Sequence, residues 1–546
     1  MNSELAFSLL VFVVSMSISM ALIPLMIRWA PALGMLDKPD PRKVHTTPIP
    51  RVGGVGIVLG ALLPLWIWLP SNDLTISFLM GAIVLLVFGI WDDVKELGHY
   101  VKFVGQFIAA LLVVYHGNLY VTQLPFIDSA AIDESFGRIF TVIAMVGAIN
   151  AINHSDGLDG LAGGESLLSL GGIAFLAYQA HDVFVVPVAF AAMGGIFGFL
   201  RFNSHPARVF MGDGGSQFLG FTLAFLVVYL TQVSNRALSP AIPALLLGLP
   251  IVDILSVFAQ RIYGGMNWFR ATKNHVHHRL LELGYRHYES VMVIYSIQAL
   301  LVIIGVLMPY ESDALLLGFY LVICTLLFTY LVVAERKGLK VHHTKGDGSR
   351  PSLLAALASG DRLAAINYKL IQFLISMFLV AGAVFIPKVP LDLTIAAGVL
   401  FIFLAIRLLL GFRVWFLYLR LILFMSVAFT AYLFEYYPPS GWEGVSGFYN
   451  IFFGLLATAV MFAVRFSKTE FFQVTPLDYL VMLIVAILAV MAEKGGTDIA
   501  MVKLVIQLII LFYGVEVVLR HMRKLFNPFT GSSLAALGIV AIRGLL

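Results

Sequence analysis

Five polar stretches interrupt an otherwise apolar chain, and their residue types suit the handling of phosphate groups and a hard cation. The densest is Asn150-Ala-Ile-Asn-His-Ser-Asp-Gly-Leu-Asp-Gly-Leu-Ala-Gly-Gly164, which holds two amides, one imidazole, two carboxylates and four glycines. Asn150, Asn153, Asp156 and Asp159 recur about one helical turn apart, so a helical segment would project them as one polar stripe. A plain helix end closed by Asp-Gly turns requires only one Asx and one glycine. Four oxygen-bearing side chains beside a membrane-length apolar run better suit a hard cation or a sugar nucleotide.

The other stretches carry complementary chemistry. Trp91–Lys102 places Asp92 and Asp93 at the end of an apolar run, where adjacent carboxylates are costly unless they hold a cation or meet lysines. On a helix the two point in different directions, so one can face a site while the other supports the loop; Lys95 and Lys102 supply countercharge for a pyrophosphate. Arg201–Ser216 sets Asp213 in a glycine-flanked turn just before an apolar helix, where backbone amides can cradle phosphate oxygens while the carboxylate takes Mg²⁺. In Asn267–Arg279, His275, His277 and His278 stand among Arg270, Lys273 and Arg279. Those cations oppose zinc, and no carboxylate lies within the cluster, so the histidines better donate to phosphate or sugar oxygens. Asp37–Gly54 is stiffened by prolines and made anion-attracting by Arg42, Lys43, His45 and Arg51. The plainer alternative is a basic anchor on the cytoplasmic side with no further role, with Gly53-Gly54 simply permitting close helix packing.

The elements that must position these groups follow from composition. At 546 residues, with 60% hydrophobic and 12% charged residues and a mean hydropathy of +0.93, the chain belongs to the all-α polytopic membrane class. Apolar runs predict eleven spans near 5–27, 53–70, 74–91, 103–120, 138–153, 165–181, 183–200, 217–233, 240–260, 290–309 and 314–334. Six more follow near 368–386, 391–411, 414–435, 448–465, 477–493 and 499–520. The first run lacks the basic start and cleavage site of a signal peptide and is expected to be a retained helix. The lone Cys324 builds no disulfide or thiolate cluster.

If the loops after helices one, three, five, seven and nine share one side, nearly all Lys and Arg fall there; Arg138, Arg236, Lys388, Lys494 and Lys503 lie on or near the other. The basic side is then cytoplasmic and the N-terminus outside. Loops 28–52, 92–102, 150–164, 201–216 and 261–289 converge on the cytoplasmic face, as an interfacial site with a water-soluble substrate requires. All of this chemistry precedes residue 335, so the chain is expected to divide into a membrane enzyme domain 1–334, a linker 335–367 and a C-terminal membrane domain 368–546.

Taken in order, Asp92-Asp93, Asn150–Gly164, Asn203 with Phe210-Met-Gly-Asp-Gly-Gly-Ser216, and His275-Val-His-His278 resemble the polyprenyl-phosphate N-acetylhexosamine-1-phosphate transferases over about residues 1–334. The His-Val-His-His form is similar to the branch that uses UDP-N-acetylglucosamine for O-antigen, enterobacterial common antigen or teichoic acid linkage. It departs from the related phospho-MurNAc-pentapeptide translocases of peptidoglycan synthesis. The resemblance implies transfer of a sugar 1-phosphate from a UDP-sugar to undecaprenyl phosphate in the bacterial inner membrane, with release of UMP. It implies Mg²⁺, with Mn²⁺ as a substitute, held by Asp213 and supported by Asp93, and Asp92 as the base that deprotonates the lipid phosphate. It further implies that Asn150, Asn153, Asp156, Asp159 and Asn203 line the nucleotide side. His275, His277, His278 and Arg270 would hold the diphosphate or amino sugar. Lys43 and His45 stand near a lysine pair of the MurNAc branch. Lys95 and Lys102 complete the expected substrate contacts. No nucleic acid is expected among the partners, and the sequence leaves open a homodimer.

Two other readings compete: UDP-MurNAc-pentapeptide as donor, and a transporter or lipid-carrier flippase, which the many spans and intramembrane Arg407 and Arg420 would also suit. A transporter should gather its polar groups near the bilayer midplane, whereas these gather at one face.

Overall fold

The computed structural model describes residues 3–37, 47–127, 132–265, 274–341, 361–410, 416–439, 446–466, 480, 499–521 and 527–545. Its secondary structure is helical apart from the two-residue strands Leu36–Asp37 and Ile49–Pro50, which pair antiparallel. Among the described residues, nine helices are long and apolar enough to cross a membrane, and several shorter apolar helices accompany them. The protein is thus an all-α, multi-pass membrane protein. Its chain forms two compact units, one of Met1–Thr344 with Thr475–Ile484, the other of Lys345–Val474 with Val485–Leu546.

In the first unit, α1 (Ser3–Leu33), α2 (Gly53–Trp68), α3 (Asp73–Lys95) and α4 (His99–Leu111) precede α5 (Glu134–Ser155), α6 (Leu161–Gln179) and α7 (Val185–Asn203). The helix α8 (Asp213–Tyr229) follows, then the short α9 (Ile242–Leu246), α10 (Gly248–Tyr263), α11 (Val276–Glu282), α12 (His287–Leu307) and α13 (Asp313–Arg336). Local signals set the starts: Asn72 accepts from Thr75 N at 2.8 Å to cap α3, and Asp133 accepts from Ser135 N at 2.9 Å to cap α5. At the end of α3, Glu96 takes a left-handed conformation, φ 49°, which turns the chain toward α4.

The centre is α8. Its residues from Gly214 to Val228 are buried, and it packs against α2, α3, α5, α6 and α7. Glycine permits that density at its first turn: a β-carbon on Gly54 would overlap the Gly215 backbone, and one on Gly89 would overlap Gly214. Gly53 N and Gly54 N also donate to Phe210 O at 2.9 Å and Met211 O at 2.7 Å, which docks the start of α2 on the segment leading into α8. The close packing expected of Gly53-Gly54 is what the glycines do.

Several elements depart from the expected spans. The run 240–260 is two helices, broken at Leu247-Gly248, where Gly248 has φ 22°, Leu249 N donates to Gln298 Oε1 at 3.0 Å and Tyr320 OH donates to Gly248 O at 3.0 Å. The run near 103–120 is α4, closed by a π turn, Leu112–His116. Most of 477–493 lies outside the described residues. The segment 335–341 continues the first unit: Arg279 makes a bidentate pair with Glu335 at 2.6 and 2.9 Å, Val341 N donates to Leu283 O at 3.0 Å and Lys340 Nζ donates to Glu282 O.

The second unit is built from α14 (Asp361–Phe385), α15 (Leu391–Leu410), α16 (Phe416–Tyr436), α17 (Ser446–Phe466), α18 (Ile499–His521) and α19 (Pro528–Arg543). Its own core includes Leu379, Leu404, Leu423, Leu456, Leu511 and Leu537. Helix α19 was absent from the expected spans, although Asn527-Pro528 is a helix-start signal: Asn527 Oδ1 accepts from Thr530 N at 3.0 Å and proline takes the first helical position.

Candidate active site

The carboxylates of Asp92, Asp93 and Asp213 meet at one end of the first unit. Asp92 and Asp93 occupy the last turn of α3, and Asp213 is the first residue of α8. Lys102, from the first turns of α4, donates to Asp92 Oδ2 and to Asp213 Oδ2, each at 2.7 Å. Adjacent positions on α3 diverge by about 100°, and the two aspartates accordingly take different tasks. Asp92 faces Lys102, and its second oxygen accepts from Leu97 N at 2.7 Å. Asp93 Oδ1 accepts the Asp213 backbone N–H at 3.2 Å, and its carboxylate lies against Gly212, whose φ of 73° suits glycine. Asp93 thereby caps α8 from a neighbouring helix. The second expected lysine, Lys95, is exposed at the end of α3.

Asp213 is the hub of this cluster. Besides Lys102 it accepts from Asn153 Nδ2 at 3.3 Å and Gln217 Nε2 at 3.2 Å, and Asn153 Nδ2 also donates to Ser216 Oγ at 2.8 Å. Behind it, Gln106 Nε2 donates to Gln217 Oε1 at 3.3 Å, and Asn150 Nδ2 donates to Gln106 Oε1 at 2.7 Å. The side chains of Asp213 and Lys102 remain 22% and 25% exposed, so a solute can reach them.

The expected single stripe of Asn150, Asn153, Asp156 and Asp159 is divided, because α5 ends at Ser155 and the Asp-Gly turns redirect the chain. Asn150 and Asn153 serve the Asp213 cluster. Asp156 is the C-cap of α5 and keeps part of its surface open, and burial, with the charges of Asp213 and Asp159, pushes its pKa up to about 7. Asp159 belongs to a second cluster: its Oδ2 lies 2.7 Å from His205 Nδ1 and accepts from Ala207 N at 3.1 Å, while Asp159 N donates to His287 Nε2 at 3.1 Å. Asn203 is 3% exposed and ties loops together, accepting from Gly160 N at 2.7 Å and donating to Val209 O at 2.8 Å. It ties together the loops beside the expected nucleotide side.

The histidine segment holds no carboxylate of its own, but the fold brings one to it from a helix outside the segment. Asp253 of α10 has Oδ2 at 2.7 Å from His275 Nδ1 and accepts from Val276 N through Oδ1 at 2.9 Å, which fixes the ring and caps α11 together. His275 stacks on His154 with centroids 5.3 Å apart and planes at 18°. His277 is buried against Gly157, where a β-carbon would overlap its ring, and burial with the adjacent His278 and His275 holds its pKa well below the usual histidine range. His277 and His278 have centroids 4.2 Å apart. Lys43, His45 and Arg270 lie outside the described residues.

Chemically, two carboxylates share one ammonium, with the Asp93 carboxylate beside them on the Asp213 backbone and amide and hydroxyl groups around, an oxygen-rich and net-negative donor set of the kind that suits a hard divalent cation. Among the described residues of α11, His278 is the histidine that solvent reaches in part.

The model of Glycosyl transferase family 4 matches residues 75–231, an interval that contains Asp92, Asp93, Lys102, Asn150–Gly164 and Asp213. The chain is 33% identical over 332 residues to the probable undecaprenyl-phosphate N-acetylglucosaminyl 1-phosphate transferase of Bacillus subtilis (strain 168), covering 60% of this chain and 91% of that protein. It is 30% identical over 302 residues to the undecaprenyl-phosphate alpha-N-acetylglucosaminyl 1-phosphate transferase of Haemophilus influenzae, covering 53% and 84%. It is 30% identical over 288 residues to the decaprenyl-phosphate N-acetylglucosaminephosphotransferase of Mycobacterium leprae, covering 47% and 72%.

Proposed function

The chain belongs to the polyprenyl-phosphate N-acetylglucosamine-1-phosphate transferase family, and from that membership we propose that it transfers N-acetylglucosamine 1-phosphate from UDP-N-acetylglucosamine to undecaprenyl phosphate. An oxygen of the lipid phosphate forms a bond to the sugar-bearing phosphorus, the bond from that phosphorus to the bridging oxygen breaks, and UMP leaves with the bridging oxygen. The observation that carries this reading is Lys102, held at 2.7 Å from both Asp92 and Asp213 at the partly open end of the bundle.

Each residue of the cluster has a task in that reaction. Asp92 accepts the proton of the lipid phosphate and leaves its oxygen free to attack. Lys102, released from one carboxylate as substrate enters, donates to diphosphate oxygens. Asn153 and Gln217 orient the Asp213 carboxylate, and Asp93 fixes the backbone that carries it. Asp213 and Asp93 are the residues that would hold Mg²⁺, which when bound neutralises charge on the diphosphate. His278, the partly exposed histidine of the segment, would meet the anionic donor, backed by the buried His277 and by His275, which Asp253 orients.

The same reading places the reaction at the cytoplasmic face of a bacterial plasma membrane, since that end carries the basic loops. A transporter is disfavoured because Asp92, Asp213 and Asn153 lie at helix ends. The test uses the purified full chain with undecaprenyl phosphate and Mg²⁺, a panel of UDP-sugars, and measurement of UMP. Release of UMP with UDP-N-acetylhexosamines is expected. Release only with UDP-MurNAc-pentapeptide, or with no donor, overturns the proposal.

A further inference from the structure

The Asp-Gly turn between α5 and α6 is gripped by one continuous stretch of chain, α11 with α12. His277 of α11 lies against Gly157, where a β-carbon would overlap its ring. His287, the first residue of α12, accepts the Asp159 N–H through Nε2 at 3.1 Å. The buried Tyr295, about two turns further along α12, donates to Gly160 O at 2.6 Å, and the same carbonyl accepts from Gly164 N at 3.0 Å. Beyond the turn α12 runs parallel to α6: Tyr295 sits at Gly164, Gln298 Nε2 donates to Ser169 Oγ at 3.0 Å, and Val302 sits at Gly172. The grip is therefore anchored on the body of the bundle.

Asp159, His205 and His287 bring donor atoms within 4.8 Å of one another, as a metal site would. Their rings do not suit one. The two imidazoles stack with centroids 4.1 Å apart and planes at 19°, and their lone pairs lie in the ring planes, so they cannot both aim at one ion. The contacts serve the turn instead. Nε2 of His287 accepts only while the ring is neutral, which leaves the proton on Nδ1, buried and without a hydrogen-bond partner among the described residues. An orphaned N–H disfavours the fold, so the bond from Asp159 is kept against a penalty. From the other side Asn203 accepts from Gly160 N, and Asp159 Oδ2 accepts from Ala207 N. Asp156, the other carboxylate of the turn, keeps part of its surface open and follows by three residues Asn153, which donates to Asp213.

We propose that His287 and Tyr295 are positioning residues for donor binding: they fix the turn that carries Asp156 and Asp159 and tie it to the histidine segment leading into α12. The inference rests on the transferase reading above. Both side chains act through the backbone of the turn. Their loss lowers the share of molecules whose turn is set for the donor, and apparent affinity falls by that share, while the chemical step at Asp92 and Asp213 is left nearly as it was.

The test uses the full chain in detergent. In hydrogen exchange read by mass spectrometry, the peptide containing Asp159 and Gly160 should exchange faster in His287→Phe, which keeps a ring against His205 but has no acceptor. His287→Gln, whose Oε1 stands in for Nε2, should restore the wild-type rate. In steady-state UMP release, His287→Phe and Tyr295→Phe should each raise KM for UDP-N-acetylglucosamine about fivefold, the scale of one neutral hydrogen bond, with kcat changed by less than about twofold. His287→Gln should bring KM back. A merely structural role would lower the melting temperature without separating KM from kcat. Unchanged KM in both phenylalanine variants overturns the proposal whatever the exchange shows, and so does a rise in KM that His287→Gln fails to reverse. If His287→Phe does not fold, Tyr295→Phe decides by the same split. A wild-type chain that releases no UMP overturns the transferase reading instead; exchange unchanged in His287→Phe would then overturn the grip as well, and faster exchange would uphold it.

Discussion

Lys102 stands where Asp92 and Asp213 would otherwise repel each other, and its position implies an exchange of partners when substrate enters. Replacing Asp92 by Asn keeps the shape and the Leu97 N contact but removes the proton acceptor. The turnover number of Asp92→Asn should fall by about 10²–10⁴-fold with KM for the UDP-sugar within a few-fold of wild type; steady-state UMP release checks this, and a parallel loss of nucleotide affinity would make Asp92 a binding residue. Asp156 offers a second check through pH. An unfolded aspartate titrates near ~3.9, whereas burial pushes Asp156 up to about 7, so the folded protein holds a proton that the unfolded chain has lost between those values. Stability contributed by that proton is therefore lost as pH rises through the window. Without nucleotide, the melting temperature of Asp156→Asn minus that of wild type should grow from about pH 5 to pH 8 and then level, and a difference that stays flat would remove the assignment. The carboxylates of this site were legible because charge at the end of an apolar run demands a reason. Asp253 was not, since it lies inside the run read as one span and meets His275 only after the chain turns back. Gln106 and Gln217 were passed over likewise, as single amides within apolar runs.

At the scale of elements, the register of α3, α2 and α8 rests on glycine. Gly89→Ala would press a methyl group into the Gly214 backbone, and neither helix can yield without moving Asp92 or Asp213. Overpacking of this kind costs about 1–3 kcal/mol or more, so a clear fall in melting temperature with a loss of turnover is expected. Gly147→Ala, on an open face of α5 with nothing near the added carbon, should be neutral or raise stability by up to about 1 kcal/mol. Equal behaviour of the two variants in thermal melts and UMP assays would refute the packing account. Apolar length and Asx caps made most helices readable. The break at Gly248 was not readable, because Leu247-Gly-Leu-Pro250 sits in a continuously hydrophobic stretch and its freed backbone groups are satisfied by Gln298 and Tyr320 from distant helices. The single polar stripe across α5 was overread for the opposite reason: helical spacing persisted in sequence after the helix itself had stopped at Ser155.

For the whole molecule, the division into a first unit reaching Thr344 and a second with its own aliphatic core leads to a truncation experiment. A chain ending after Thr344 keeps Glu335, Lys340 and Val341 on α11 and should retain UMP release in detergent. One ending at Gly338 loses the Val341 and Lys340 contacts and should melt lower. A folded 344-residue chain without activity would show that residues beyond 344 complete the site. The burial of α8 has a further meaning for how the protein is made. Most of the helices that pack on it, α2, α3, α5, α6 and α7, precede it in the chain and the short α9 follows, so during synthesis the bilayer receives most of the socket before the plug. Nascent chains that extend past Lys102 but stop short of α8 carry Asp92 and Lys102 but lack Asp213, the second carboxylate of the cluster. The Asp92–Lys102–Asp213 cluster is therefore completed only when α8 inserts, and a chain that stalls in the membrane before it is inert.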